Sequence, residues 1–441
     1  MKLGLRPLYR FAVLVLVAIV VLEANYWTLL PKLKITNNMI RLLWLIMLFV
    51  PLIFSVFRMK FIRPHLIWIL FLGFVLINNA QFAHGKSNES YEFFLCVMVF
   101  FVCTYDPEWT KKAPAVILII GLPNLIATIL FYVNSGLYET FIARTYKEYQ
   151  NGTFNGLYGY RAGLAGHYSH NGTYLAIVMI VLFCILFCVK ISKPKKIIVI
   201  GAALAAIYAI FMTTKRAHLL FGGAVVIAIY YIANRESMSR KMTRTLLIVG
   251  GVASMGGMII ELVPAISQTL DRLSKAGSDG ASQYRFKMWD YALSHVFEKP
   301  FFGHGWFSFT FNQEIANVDG AANGTHNVYV QMLYDIGIIG FVVAVSALLI
   351  TFIITMRSLI AIKKSNPDYL LAISVSLAVQ LFFILYGFTG NFLYDSSFLF
   401  YAAAVAISFG IKANLPKILA GSKTKTEGGP VGPTLPIRNH V

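Results

Sequence analysis

Charge is scarce in this chain. Of its 441 residues only 13% are charged, whereas 58% are hydrophobic and the mean hydropathy is +0.68. Soluble domains average roughly 25% charged and about 45–50% apolar residues, so a soluble fold has too little polar material to cover this interior. The weakly alternating segments of a membrane β-barrel are missing too. Cysteine is nearly absent: Cys96, Cys103, Cys184 and Cys188 all fall inside apolar runs. No pair is available in an outer loop and none has metal-ligand spacing with histidine, so neither a disulfide framework nor a zinc centre is expected. Packing is the reading left to them. An internal repeat and a nucleotide-binding glycine pattern are also lacking.

What the chain has is long apolar runs. A spanning helix takes roughly 20 apolar residues. Such runs fall near 11–30, 40–57, 65–82, 91–105, 114–133, 172–190, 197–214, 217–233, 245–263, 338–356, 368–388 and 396–411. The expected fold is therefore an all-α polytopic membrane protein of about 12 transmembrane helices, one domain over residues 1–420. The first run follows Lys2, Arg6 and Arg10 and passes Trp27 without a small-residue cleavage site, which reads as a retained signal anchor. The fourth run is short. The seventh and eighth are split only by Thr213-Thr214-Lys215-Arg216-Ala217-His218.

The formal charge of +19 is distributed unevenly. Alternate joints carry Arg58/Lys60/Arg63, Lys111/Lys112, Lys193/Lys195/Lys196, Arg235/Arg240/Lys241/Arg244 and Arg357/Lys363/Lys364. Both ends of the chain join this set, through Lys2, Arg6 and Arg10 and through Lys412, Lys417, Lys423 and Lys425. The positive-inside rule makes this side cytoplasmic, and an even number of spans agrees with it. Anionic headgroups explain much of the charge, so nucleic acid is not an expected partner. The tail 421–441 is rich in Gly, Pro, Thr and Lys and reads as disordered. Two long loops face the other side, 134–171 and 264–337, and structureless loops of that length usually carry function. They hold cations that run against the orientation rule: Arg144, Lys147, Arg161, Arg272, Lys275, Arg285, Lys287 and Lys299. Lys32, Lys34, Lys215 and Arg216 share that side.

Four clusters have chemical content. Lys215-Arg216 at a tight turn is either a phosphate clamp, since arginine offers a planar fork of donors, or a pair of snorkelling cations. Tyr284 to Leu293 suits a short interfacial helix, with Phe286, Trp289 and Leu293 at helical spacing and Arg285 four residues before Trp289. Phe302-Gly303-His304-Gly305-Trp306 follows as a tight turn. Thr325-His326-Asn327 opens a helix from the outer side, where histidine suits proton transfer or merely caps the helix. Arg161 to Gly172 combines an arginine with His167 and His170. Asn151 and Asn171 head glycosylation-type triplets, a pattern that arises readily by chance.

The order of these pieces resembles the bacterial O-antigen ligase and polymerase family: Arg216 at an outer turn, Arg285 to Trp289, Pro300 to Gly305, His326-Asn327, then Gly337 to Gly340. The resemblance implies a metal-independent, GT-C-like membrane glycosyltransferase in the bacterial inner membrane, with a long extracytoplasmic catalytic loop, residues 264–337. It implies a glycan on undecaprenyl pyrophosphate as donor, a glycan or lipid-linked acceptor, and no cofactor. By the family pattern His326 is catalytic, and Arg216 and Arg285, with Arg161 and Lys215, hold the pyrophosphate. Further substrate contacts are expected at Asn327, His170, Tyr168 and Trp289. The sequence departs from the pattern at Lys215 and Ala217 beside the turn arginine, and at Asp335 where a glutamate is usual. Polymerisation of lipid-linked repeat units for a surface polysaccharide, O-antigen or capsule, is the reading adopted. Ligation onto a lipid A core or other terminal acceptor is the alternative. A transporter fits less well, because its ionisable residues would lie near the midplane, whereas these cluster at one face.

Overall fold

The computed structural model describes residues 5–26, 37–55, 58–81, 87–141, 160–165, 167–262, 280–311 and 324–420, with 267, 271, 274, 277 and 278 as isolated positions. Lys2, Lys32, Lys34, Arg144, Lys147, Asn151, Arg272, Lys275 and the tail from 421 lie outside the described residues. Among those described, the chain is helical and without strands. In chain order the helices are α1 (Leu5–Tyr26), α2 (Asn37–Ser55), α3 (Arg63–Gln81), α4 (Ser87–Val102), α5 (Ala113–Val133), α6 (Ser135–Phe141), α7 (Tyr168–Cys188) and α8 (Lys193–Thr213). They continue as α9 (Arg216–Ala233), α10 (Met238–Leu262), α11 (Gly280–His295), α12 (Ser308–Phe311), α13 (Val328–Ser365), α14 (Leu370–Tyr386) and α15 (Phe398–Ala413). Among the described residues seven helices are long and apolar enough to cross a membrane, and four shorter apolar ones lie within α2, α3, α4 and α15.

Helices α7, α14 and α15 are the most enclosed. Lipid gives helices no hydrophobic reason to associate, so close approach and polar contacts must hold them. Small residues supply the approach: Ala203, Ala206 and Ala209 of α8 are buried, and Gly222 of α9 sits against Met179 of α7. A buried polar cluster supplies the contacts. Gln380 of α14 donates to Thr355 of α13 (3.0 Å) and to Ser376 (3.1 Å), and Thr355 meets Ser408 of α15 at 2.6 Å. Glu23, an isolated acid in the first span, accepts from the indole of Trp44. Cys96, Cys103 and Cys184 are buried in the helix packing.

The basic joints gather at one end of the bundle. There Arg10 pairs with Asp106 (2.9 Å), Lys111 with Glu108 (2.9 Å), and Lys60 donates to Asn414 (2.8 Å). The opposite end is organised by a break in α13. Gly337 has φ 64° and ψ −174°, which interrupts the helical hydrogen bonding. In an unbroken helix Ile338 and Ile339 would donate to Tyr334 and Asp335. Instead the Pro300–Gly305 turn exchanges with them. Ile338 donates to Pro300 (2.7 Å) and Ile339 to Phe301 (3.2 Å), while Tyr334 accepts from His304 (3.0 Å) and Asp335 from Gly305 (2.8 Å). Buried backbone at membrane depth requires such compensation. Asn78 of α3 clamps the same turn, donating to the Phe302 carbonyl (2.7 Å) and accepting from the Trp306 amide. Asp335 is fully buried and accepts from Ser308 (3.0 Å) and the Phe309 amide (2.8 Å), so its carboxylate caps α12.

Gly337 therefore tolerates no side chain. Its backbone conformation is essentially open to glycine alone, and a β-carbon would lie 2.6 Å from the Gly303 nitrogen. Gly337→Ala is expected to cost about 1–3 kcal/mol from conformation alone, before the clash is counted. A lowered melting temperature in detergent checks this, and an unchanged one contradicts the exchange.

Candidate functional site

The site is built at this end from α11 and four other stretches. The first is the turn between α8 and α9. Thr214 adopts the left-handed region (φ 55°), which reverses the chain at once and leaves Lys215 as the residue before α9. Lys215 lays its ammonium 4.1 Å from the centre of the Tyr168 ring, a cation–π contact that positions the charge without neutralising it. Arg216 follows as the first residue of α9 and is half-buried.

The second stretch leads into α7. Asn171 is fully buried. Its amide donates to the Arg161 carbonyl (2.8 Å) and to Thr128 (3.0 Å), and its oxygen accepts from Asn124 (2.6 Å). Asn124 in turn accepts from the Leu164 amide (2.8 Å). This network fixes the Arg161 turn against α5 and α7, and it removes Asn171 from consideration as a glycosylation acceptor. His167 caps α7 through Nδ1, which accepts from the Ser169 amide at 3.2 Å. Its ring lies 4.5 Å from Tyr168 and 5.7 Å from His170.

The third stretch carries His326, a non-glycine residue in the left-handed region (φ 55°). Such strain persists only where the surroundings over-determine it, and here they do. The Thr325 carbonyl accepts from the Trp289 indole (2.8 Å), and the Thr325 hydroxyl bonds on both sides of Asn327. Asn327 caps α13, accepting from the Tyr329 (3.1 Å) and Val330 (3.3 Å) amides. The Val328 amide reaches the carbonyls of Gly387 (2.9 Å) and Gly390 (3.0 Å). Trp289 and Asn327 thus hold the His326 loop in place, a structural part beside any contact with substrate.

The charges of these stretches meet at His326. Burial, then the neighbouring Arg285 guanidinium and Lys215 ammonium, pull its pKa down to about 4. His167 is lowered to about 3 by burial, then by His170, Lys215 and His326. Arg285 lies on α11, which is anchored through buried Met288 and Ala292 against Phe309 and Tyr334. The fourth stretch joins α14 to α15 and contributes Asp395. Burial raises its pKa against the opposing influence of His170, and its carboxylate accepts from the Ser397 amide (2.7 Å). Beneath the site His218 contacts Thr173 (2.9 Å) and lies 4.7 Å from the Tyr386 ring.

Lys215, the Tyr168–His170 pair, Arg285 and His326, from separate parts of the sequence, therefore share one electrostatic neighbourhood. Asp395 was not foreseen, and His167, part of the Arg161 to Gly172 cluster, had no expected role of its own. His167 had a local signal, since a capping side chain precedes an apolar run. Asp395 had none linking it to His170.

Fold and site together define a multi-pass α-helical membrane protein with a cationic, histidine-bearing site at one end of its bundle. Residues 201–345 match the family model described as O-antigen ligase, which supports the O-antigen ligase/polymerase family for this chain. The matched stretch contains Lys215, Arg216, Arg285, Trp289, His326 and Asn327, and excludes Arg161, Tyr168, His170 and Asp395. No curated protein matches.

If Asn327 serves as a cap, Asn327→Ala should lose about 1 kcal/mol of stability together with transfer activity, and Asn327→Asp should restore both. Stability restored without activity would instead assign the amide nitrogen to substrate.

Proposed function

We propose that this protein is a metal-independent glycosyltransferase that polymerises lipid-linked oligosaccharide repeat units. In this reading it spans the inner membrane with about 12 helices, both termini are cytoplasmic, and the site opens extracytoplasmically. The observation that carries the reading is the convergence of Arg285 and Lys215 on His326 at the membrane edge, opposite the basic end. Cations placed there are complementary to an anionic ligand at the membrane edge. A glycan on undecaprenyl pyrophosphate supplies one, its tail in lipid and its sugar outside.

The chemistry follows from charge. The acceptor hydroxyl oxygen attacks the donor sugar's anomeric carbon, and the bond from that carbon to the pyrophosphate oxygen breaks. Its electron pair leaves with the pyrophosphate. Arg285, Arg216 and Lys215, with Arg161, hold the leaving group where negative charge develops. His326 takes the acceptor's proton. Unliganded, its neighbours keep the imidazole neutral and therefore able to accept that proton. Bound pyrophosphate offsets their charge and makes the imidazole a stronger base just when the donor is in place.

A ligase moving finished glycan to a terminal acceptor is the second reading, favoured by the description of the matching family model. Surface polysaccharide from a deletion strain distinguishes them. Single repeats left on the lipid carrier are expected of a missing polymerase, and full-length glycan stranded there of a missing ligase.

His326→Ala should abolish transfer at unchanged protein level; retained activity would remove His326 from catalysis. Arg285→Lys and Arg216→Lys should each reduce transfer, because a point charge does not replace a fork. The neutral imidazole is the working form and its pKa is lowered, so kcat/KM should hold as pH falls and fail only near 4. Lys215→Ala should move that limb upward, toward the ordinary histidine value of about 6.5. A wild-type limb already near about 6.5, unmoved by Lys215→Ala, would contradict this electrostatic coupling.

A further inference from the structure

A groove lies toward the basic end of the bundle, away from His326. Helices α3 and α13 run antiparallel, and three contacts fix their register. Asn78 holds the Phe302 carbonyl beside the α13 break, Phe74 packs on Gly340, and the Trp68 indole donates to Thr351 (2.9 Å). Alongside the Trp68–Thr351 contact the two helices line this open groove of about 470 Å³, within the usual ligand-pocket range of roughly 300–1,000 Å³. Its walls are aliphatic: Leu66, Ile67 and Leu70 from α3, with Ile350, Ile353 and Ile354 from α13.

One end of this groove is charged. Arg63 and Arg357 also line it. They lie five and six residues past Trp68 and Thr351, which places them at the same level. Both side chains are exposed, and among the described residues neither has an ion-pair or hydrogen-bond partner. Among the described residues the acids at this end are engaged elsewhere, Asp106 with Arg10, Glu108 with Lys111 and Tyr369, Asp368 with Lys111 and Glu236 with Arg244. Arg58 and Lys60 precede α3 and add to the positive potential.

An aliphatic groove on the lipid-facing side, closed at one end by two unpaired forks, is complementary to one kind of molecule. We propose that it binds an anionic glycerophospholipid of the leaflet at the basic end, with an acyl chain along Leu66, Leu70, Ile350 and Ile354 and the phosphate between Arg63 and Arg357. Guanidinium groups suit phosphate oxygens in a way that a lone ammonium does not. The site is independent of the glycan chemistry, and its test needs no transfer assay.

The test is native mass spectrometry of the full chain in detergent, titrated separately with phosphatidylglycerol and phosphatidylcholine. Wild type should carry one phosphatidylglycerol in clear preference to phosphatidylcholine. Arg63→Ala/Arg357→Ala should bind phosphatidylglycerol about 10-fold more weakly or worse and lose the preference. Ile354→Trp, which fills the groove and keeps both arginines, should also weaken binding. Melting temperatures of the variants separate loss of the site from loss of the fold. Equal binding of the two lipids by wild type would overturn the proposal, as would unchanged phosphatidylglycerol binding in either folded variant.

Discussion

The arrangement depends on one exchange of backbone hydrogen bonds. The break at Gly337 strands two amides and two carbonyls where water is scarce, and the Pro300–Gly305 turn takes all four. That bargain joins the turn to α13 and, through Asn78, to α3. It also leaves the segment from Val328 to Ile336 as a separate helical piece, packed against α11 through Tyr334, Met288 and Ala292. Arg285 rides on α11 and His326 stands at the head of that piece. The separation of the two is thus set by glycine geometry far from either side chain.

Electrostatics then gives the site its character. Lys215 and Arg285 are brought beside a partly buried imidazole, an arrangement that opposes a positive charge on His326. Under the proposed function a bound pyrophosphate would offset the positive potential that Lys215 and Arg285 place beside this imidazole. In that proposal, binding of the donor and readiness of the base become one event. The local strain fits the same pattern, because left-handed Thr214 precedes Lys215 and His326 is itself left-handed.

Much of the scaffold was legible in the sequence because apolar length is a strong signal. Among the described residues each expected apolar run overlaps a helix, including the short fourth run in α4 and the split at Thr214. The tight turn at Gly303 and the helix opened by His326-Asn327 were legible too, since glycine and capping residues act locally. Less legible was what those residues do for one another. That the Gly303 turn satisfies the Gly337 break depends on contacts across more than one helix, which no periodicity records. Trp289 looked like an interfacial aromatic, yet its indole holds Thr325, and the exposed apolar positions are Phe286, Leu293 and Phe297. Asp335 looked like a displaced family acid and is a buried cap. Asp395 gave no signal, because its relation to His170 exists only once α7 and α15 are packed.

The central claim is that Lys215, Arg285 and His326 form one pyrophosphate-binding, proton-accepting site. A structure with a bound polyprenyl pyrophosphate tests it most directly. The expected result places phosphate oxygens within hydrogen-bonding distance of Arg285 and Lys215, the polyprenyl chain in the membrane, and His326 on the open side where an acceptor hydroxyl would enter. Pyrophosphate bound away from these residues, or His326 walled off from it, would contradict the claim.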